Sequence, residues 1–117
     1  FGPHAREVVQ SLTKDNVSHE ALGYFKAKQT YLDQVPVTLW RLSYVGESGY
    51  EIYTTADFAL KLWDTLMKAG EKFNIRAAGR GAYNSMRLEK GYRSYGTDIR
   101  IPRSSQARAQ TCHHHHG

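Results

Sequence analysis

The segment from Leu42 to Tyr53 constrains the fold of this chain more than any other. Strand-forming residues run from Val35 to Val45, stop at a turn between Gly46 and Gly49, and resume from Tyr50 to Thr54. Glycine adopts positive φ angles at little cost, so the two glycines are typical of a tight turn. The pattern therefore predicts two strands of one sheet, joined by a short irregular connection.

A further strand is predicted before these two. Side chains from Tyr24 to Leu32 alternate between two faces, and Asp33-Gln34 provides a short connection to the next run of strand formers. Together the two runs predict an antiparallel hairpin. Pro36 cannot donate a backbone hydrogen bond, which indicates that this end of its strand lies at an edge.

Three stretches with the apolar spacing of helices surround the predicted strands. Residues Ala5, Val8, Val9 and Leu12 recur at helical intervals, as do Ala59, Leu62, Trp63, Leu66 and Met67. The second helix is expected to be capped by Thr54 or Thr55 and to stop at Gly70. A third helix is predicted at Ala82–Lys90 and an extended segment at Tyr92–Gly96. This order predicts an α+β fold, an antiparallel sheet with helices packed on one face.

Composition divides the chain into two parts. Residues 1–100 are expected to form one partial domain, whereas residues 101–117 lack an apolar period and contain the run His113–His116. Such a tail is typical of vector-derived sequence followed by a purification tag. The missing initiator methionine favours a piece excised from a longer protein.

The charge balance of residues 1–100 is only weakly positive. Removing Arg103 and Arg108 from the 16 basic residues leaves 14 against 11 acidic ones, a net charge of +3. This balance does not favour a nucleic-acid partner. No apolar run approaches the roughly 20 residues of a membrane span, so no membrane partner is predicted. The single cysteine, Cys112, cannot form an internal disulfide.

Glu51 is the acid that most invites a functional interpretation, because it lies inside an aromatic strand. On a strand its side chain shares a face with Tyr53 and points away from Tyr50 and Ile52. One interpretation is a solvent-facing glutamate on a half-exposed sheet. The other is a rigidly held carboxylate that accepts two hydrogen bonds from a heterocycle with adjacent ring N–H and amine donors.

Tyr44 is the second candidate site residue. It is either a core tyrosine with its hydroxyl at the rim, or a ring wall and hydroxyl donor at the mouth of a pocket. The isolated His4 and His19 lack partners at metal-ligand spacing, so no metal site is predicted. No catalytic residue is predicted, and Arg87 and Asp98 are expected to have structural roles.

Two long motifs nevertheless resemble a known family. Ser43-Tyr-Val-Gly-Glu-Ser-Gly-Tyr-Glu-Ile-Tyr53 is similar to the folate-domain signature of the glycine-cleavage T-protein (aminomethyltransferase) superfamily. The segment Ala77–Asp98, with Asn84-Ser-Met-Arg-Leu-Glu89 at its centre, is similar to a second signature. The resemblance spans Phe1 to about Ile99 and is strongest to the branch of dimethylglycine oxidase, dimethylglycine dehydrogenase and sarcosine dehydrogenase.

The resemblance implies a tetrahydrofolate-binding domain. In that branch a flavin domain containing FAD oxidises an N-methyl amine, and the folate domain captures the one-carbon unit as 5,10-methylenetetrahydrofolate. By motif, Glu51 matches the glutamate that holds the pterin ring and Tyr44 matches a tyrosine that lines the same site. Free-standing T-proteins have a folate-binding arginine where this chain has Tyr83, which favours the amine-oxidising branch.

The resemblance also implies that parts of the parent protein lie outside this chain. The family's catalytic aspartate precedes Phe1, and the flavin domain and a C-terminal barrel are absent, so the fragment is expected to be inactive. Exposed cut surfaces would favour self-association. The parent would be cytoplasmic in a bacterium or lie in the mitochondrial matrix of a eukaryote. An alternative is a non-catalytic regulatory or scaffolding module of the same family.

Overall fold

The computed structural model describes residues 1–99. Its centre is a three-stranded antiparallel sheet of β1 (Ala27–Leu32), β2 (Val35–Trp40) and β3 (Glu51–Tyr53) in the order β1-β2-β3. The inward residues of β2 are all buried and its outward residues are not. That alternation matches the period of a strand with one covered face. The predicted tail at 101–117 and its histidines lie outside the described residues.

The β1–β2 hairpin forms as the sequence predicts. Leu32 pairs with Val35 across the two-residue connection, and Asp33 adopts a φ of 55° there. Aspartate tolerates this left-handed conformation better than most residues. The pairing of β3 stops opposite Thr38, so Pro36 has no strand on that side, as its missing N–H group requires.

Within residues 1–99, three α-helices accompany the sheet: α1 (Ala5–Leu12), α2 (Ala59–Gly70) and α3 (Arg80–Lys90). Short 3-10 turns at Ala56–Phe58 and Glu71–Phe73 flank α2. The positive φ of Gly91 ends α3, since glycine lacks the Cβ that would clash there. Within residues 1–99 no helix combines the length and the apolar character that a bilayer crossing demands.

One apolar core joins the sheet to α1 and α2. Its buried members come from both helices, the loop after α1 and the inner sheet face: Val9, Val17, Leu22, Leu32, Val35, Val37, Leu39 and Leu62. The predicted α+β class, an antiparallel sheet with helices on one face, is therefore confirmed. The outer sheet face, which carries Trp40, is left open.

All three predicted strands are too long, and the one predicted at Tyr50–Thr54 covers only Glu51–Tyr53. Regular pairing of β1 begins only at Ala27, because Phe25, with a φ of 61°, and Lys26 both bond to the backbone of Arg41 and interrupt the one-to-one register there. β2 ends at Trp40 rather than Val45. With no strand opposite them, the residues after Arg41 form a loop instead. Residues 92–96 form no strand either, and only Tyr95 makes an isolated bridge, to Ile99.

The predicted ends of α2 are also wrong. The Thr54 hydroxyl donates to the Pro36 carbonyl at 2.8 Å, and no side chain caps the turn that precedes the helix. The helix includes Gly70 and continues into the following 3-10 turn. Asn74, with a φ of 56°, makes the left-handed stop that was expected of Gly70. Trp63, expected in the apolar stripe, is 53% exposed.

Candidate functional site

Glu51 lies on the open face of the sheet. It is directly opposite Trp40 in the β2–β3 pairing, and its side chain is exposed. The Tyr53 hydroxyl donates a 2.7 Å hydrogen bond to the Glu51 carboxylate. Because residues i and i+2 of a strand share a face, the short strand β3 sets this geometry. The carboxylate is therefore held in one orientation by a strand and by a phenol.

Exposed aromatic rings flank this carboxylate. Trp40 is 41% exposed and Tyr53 is 55% exposed, and their ring centroids are 6.3 Å apart in an edge-to-face arrangement. Large rings that stay exposed beside an acid are a surface on which a flat polar ring could stack. Strand alternation puts Trp40 on the face opposite to Leu39, and the β2–β3 register puts it opposite Glu51.

The charge of Glu51 also affects two phenols. Its hydrogen bond and its negative charge raise the pKa of the Tyr53 hydroxyl. Burial raises the pKa of Tyr83, and the Glu51 charge raises it further. Glu51 therefore acts electrostatically on a residue of α3, although the two elements are far apart in the sequence.

Tyr44 is held against α3. Its ring stacks on Tyr83 with centroids 5.5 Å apart and planes at 12°, and its hydroxyl donates to the Arg93 carbonyl at 2.5 Å. Tyr92 lies 6.4 Å away at a tilted angle. Tyr44 is 37% exposed, so one part of the ring remains accessible. The ring on which Tyr44 stacks, Tyr83, is the same phenol whose pKa the Glu51 charge raises.

Arg87 fixes the loop that receives the Tyr44 hydroxyl. Its side chain is buried, pairs with Asp98, and donates to Asn84 at 2.8 Å and to the Tyr92 carbonyl at 3.0 Å. The Asp98 carboxylate also accepts from the Ser94 backbone N–H, and these contacts lower the pKa of Asp98. The predicted structural roles of Arg87 and Asp98 are thus confirmed.

A cavity of about 550 Å³ opens beside the stacked tyrosines. Its lining includes Tyr44, Tyr83, Arg80 and Arg87, with polar groups from α3 and the following loop. Glu51 is not among its lining residues. The two predicted site residues therefore do not line one common pocket within the described chain.

A second concavity, of about 660 Å³, lies on the outer sheet face. Tyr31, Pro36, Thr38 and Tyr53 contribute to its walls. Glu51 does not line this concavity itself, but it accepts the hydrogen bond of Tyr53, which does. Among residues 1–99, no group of three His, Cys, Asp or Glu side chains is arranged to hold a metal ion.

Comparison of the sequence with known proteins identifies the family of this chain. The GCVT N-terminal domain family matches residues 1–106. Human mitochondrial dimethylglycine dehydrogenase is 37% identical over 98 residues, which are 84% of this chain and 11% of that protein. An aminomethyltransferase of Halothermothrix orenii is 36% identical over 98 residues, 84% of this chain and 27% of that protein.

A third relative is an oxidase. The 4-methylaminobutanoate oxidase (formaldehyde-forming) of Paenarthrobacter nicotinovorans is 37% identical over 99 residues, 85% of this chain and 12% of that enzyme. The chain thus spans about a tenth to a quarter of the length of these relatives. Since the family match covers nearly the whole sequence, this chain belongs to the GCVT N-terminal domain family.

Proposed function

We propose that this chain is part of the tetrahydrofolate-binding one-carbon transfer domain of a flavoprotein that oxidises dimethylglycine, sarcosine or a similar N-methyl amine. Two relatives from the amine-oxidising branch and an aminomethyltransferase have nearly equal identity to the chain. Sequence identity therefore supports the assignment to a folate-binding domain more strongly than the assignment to the amine-oxidising branch. Tyr83, in place of the arginine of free-standing T-proteins, favours the amine-oxidising branch.

The observation that carries the proposal is the Glu51 carboxylate on the open sheet face, held by Tyr53 at 2.7 Å. A pterin presents a ring N–H and an exocyclic amine side by side. An ionised carboxylate accepts both hydrogen bonds at once, and charge-assisted hydrogen bonds are stronger than neutral ones. A strand position limits the motion of the acid, which favours a fixed ligand orientation.

The surrounding rings fit a flat heterocycle. Trp40 and Tyr53 offer exposed aromatic surface beside the acid. Tyr44, stacked on Tyr83, offers a further wall at 37% exposure. Folate, when bound, would supply the nitrogens that accept the one-carbon unit. In this proposal the residues of the chain bind and orient folate, and none of them is assigned a catalytic role.

The remaining parts of the proposed parent lie outside this chain. FAD would bind in another domain, and the catalytic aspartate would precede this sequence. The remaining domains are accordingly proposed as its partners, and a separated chain would self-associate through the surfaces they leave uncovered. The proposed compartment is the bacterial cytoplasm or the mitochondrial matrix.

The test is a calorimetric titration of the full-length protein with 5-formyltetrahydrofolate, a stable reduced folate. Losing a hydrogen bond to a charged group costs about 1.5–3 kcal/mol, so Glu51→Gln should weaken binding by roughly tenfold to a hundredfold. Glu89→Gln is the matched control, because Glu89 is an exposed acid on α3. Its affinity should stay within about twofold of the unmodified protein.

Two results would reject parts of the proposal. Equal affinities for the Glu51→Gln and Glu89→Gln proteins would remove Glu51 from the pterin site. No binding by the unmodified full-length protein would reject the folate assignment, and the non-catalytic module would then be the better interpretation.

A further inference from the structure

Arg41 is a buried cation at the end of the apolar core. It follows Val37 and Leu39 on the inward-facing side of β2, and the residue is only 2% exposed. Its backbone N–H donates to the Lys26 carbonyl at 2.9 Å, which continues the pairing beyond the last residue of the strand. A position that alternation reserves for an apolar side chain therefore holds a guanidinium group.

The Arg41 guanidinium lies over two tyrosine rings. Its central carbon is 4.9 Å from the ring centroid of Tyr24 and 5.0 Å from that of Tyr50. Such cation–π contacts do not satisfy the N–H donors of arginine. The Nε and Nη1 atoms are buried and have no hydrogen-bond partner within residues 1–99. We call Tyr24, Arg41 and Tyr50 the arginine socket.

Within the described residues, no carboxylate forms an ion pair with the arginine of the socket. The three ion pairs within residues 1–99 do not include Arg41. Residues 100–117 contain no aspartate or glutamate. Arg87 gives the contrast, because it is 3% exposed and has a carboxylate, an amide and a carbonyl as partners. A buried charge without such partners is costly, which points to a partner from outside this chain.

A residue with a strained backbone and an exposed ring, Phe25, adjoins the socket. Phe25 has a φ of 61° and is 82% exposed, and its backbone N–H donates to the Arg41 carbonyl at 2.9 Å. A bulky side chain in the left-handed region is an outlier, and such strain tends to occur at functional positions. Tyr24, the outer cover of the socket, is itself 45% exposed on the same turn.

We propose that the arginine socket and Phe25 form a docking site for an acidic segment from another part of a longer protein. A carboxylate of that segment would pair with Arg41 after the Tyr24 ring moves aside, and an apolar neighbour would cover Phe25. The relatives support such an occupant, since this chain covers only 11% of the length of human dimethylglycine dehydrogenase and 27% of the length of the Halothermothrix orenii aminomethyltransferase. The docking site is independent of the proposed folate site.

The first test compares two buried arginines in the isolated 117-residue chain. Arg41→Met removes an uncompensated charge, so the urea midpoint should rise by roughly 0.5 M or more. Arg87→Met is the matched control, since it leaves Asp98 without its partner, and its midpoint should fall. A fall for Arg41→Met, or a failure of that variant to fold, would show that the charge is compensated within the chain and would overturn the proposal.

The second test repeats both substitutions in the full-length protein. There Arg41→Met should lower the midpoint, because the docked carboxylate loses its cation. A rise like that in the chain alone would overturn the proposal, since no acidic segment would then occupy the socket. A titration of the chain with sodium formate, in which the Arg41 Nε–H resonance is recorded, tests whether the ligand of Arg41 is a free carboxylate or a protein segment. Saturation at low millimolar formate would favour a free carboxylate ligand and reject the segment.

Discussion

The close approach of α2 and the segment that follows it allows a quantitative prediction. Gly70 is the buried last residue of α2, and the Ile75 backbone N–H donates to its carbonyl at 3.1 Å. A methyl group on Gly70 would lie 2.6 Å from Ile75 Cβ and 2.7 Å from both Cδ1 and Cγ2. Since Gly70 has a φ of −85°, the backbone itself would accept alanine.

Helix propensity and packing make opposite contributions at this position. Alanine is favoured over glycine by about 0.8–1 kcal/mol in a helix interior, and by less at the last residue. Forcing an extra methyl group into a packed contact costs about 1–3 kcal/mol. The contact with the Ile75 Cβ involves a rigid part of that side chain, so the packing cost should dominate. Gly70→Ala should therefore destabilise the chain by about 1–2 kcal/mol.

Urea denaturation of the chain measures this difference, with Gly81→Ala as the control. Gly81 lies in the first turn of α3, and a methyl group there would have no neighbour within 4 Å. The control should gain up to about 1 kcal/mol from propensity alone. A stabilised Gly70→Ala protein would refute the reasoning, because the segment around Ile75 would then move aside at little cost.

Three further predictions concern the core and the site. Leu39→Ala should cost about 2–5 kcal/mol in urea denaturation because Leu39 is fully buried, whereas Leu60→Ala, at 74% exposure, should change stability by less than about 0.5 kcal/mol. The lowered pKa of Asp98 means that its stabilising contribution is complete above the unfolded pKa of about 4 and is lost as the pH falls through the folded value. In the Asp98→Asn protein the urea midpoint should therefore fall less steeply as the pH is lowered. An unchanged dependence of the midpoint on pH would exclude this linkage. Glu51→Gln should return the raised pKa of the Tyr53 phenol toward 10.0, as followed by its ring resonances, and no change would contradict the hydrogen bond.

Local patterns predicted the elements that depend on local chemistry. The alternation of β2, the apolar spacing of α1 and the turn at Asp33-Gln34 all correspond to the structure. The left-handed Phe25 was not predictable, because Tyr-Phe-Lys is an ordinary strand sequence. The true end of α2 was missed for a related reason, since Gly70 serves close packing against Ile75 rather than a turn.

The site was predictable only in part, because its assembly depends on distant residues. Sequence placed Glu51 and Tyr53 on one strand face, and the structure joins them by a hydrogen bond. The stacking of Tyr44 on Tyr83 and the bond to the Arg93 carbonyl join residues that are far apart in the chain. No local pattern encodes those pairs. The folate role of Glu51 and Tyr44 stays a prediction.

The central claim is that Glu51 holds a pterin beside Trp40. Its most direct test is fluorine NMR of the full-length protein labelled with fluorotryptophan, titrated with 5-formyltetrahydrofolate. The resonance assigned through Trp40→Phe should shift on binding, Trp63 on α2 should serve as the unmoved internal reference, and Glu51→Gln should abolish the shift. A Trp40 resonance that stays still while folate binds, or that shifts equally in the Glu51→Gln protein, would contradict the account.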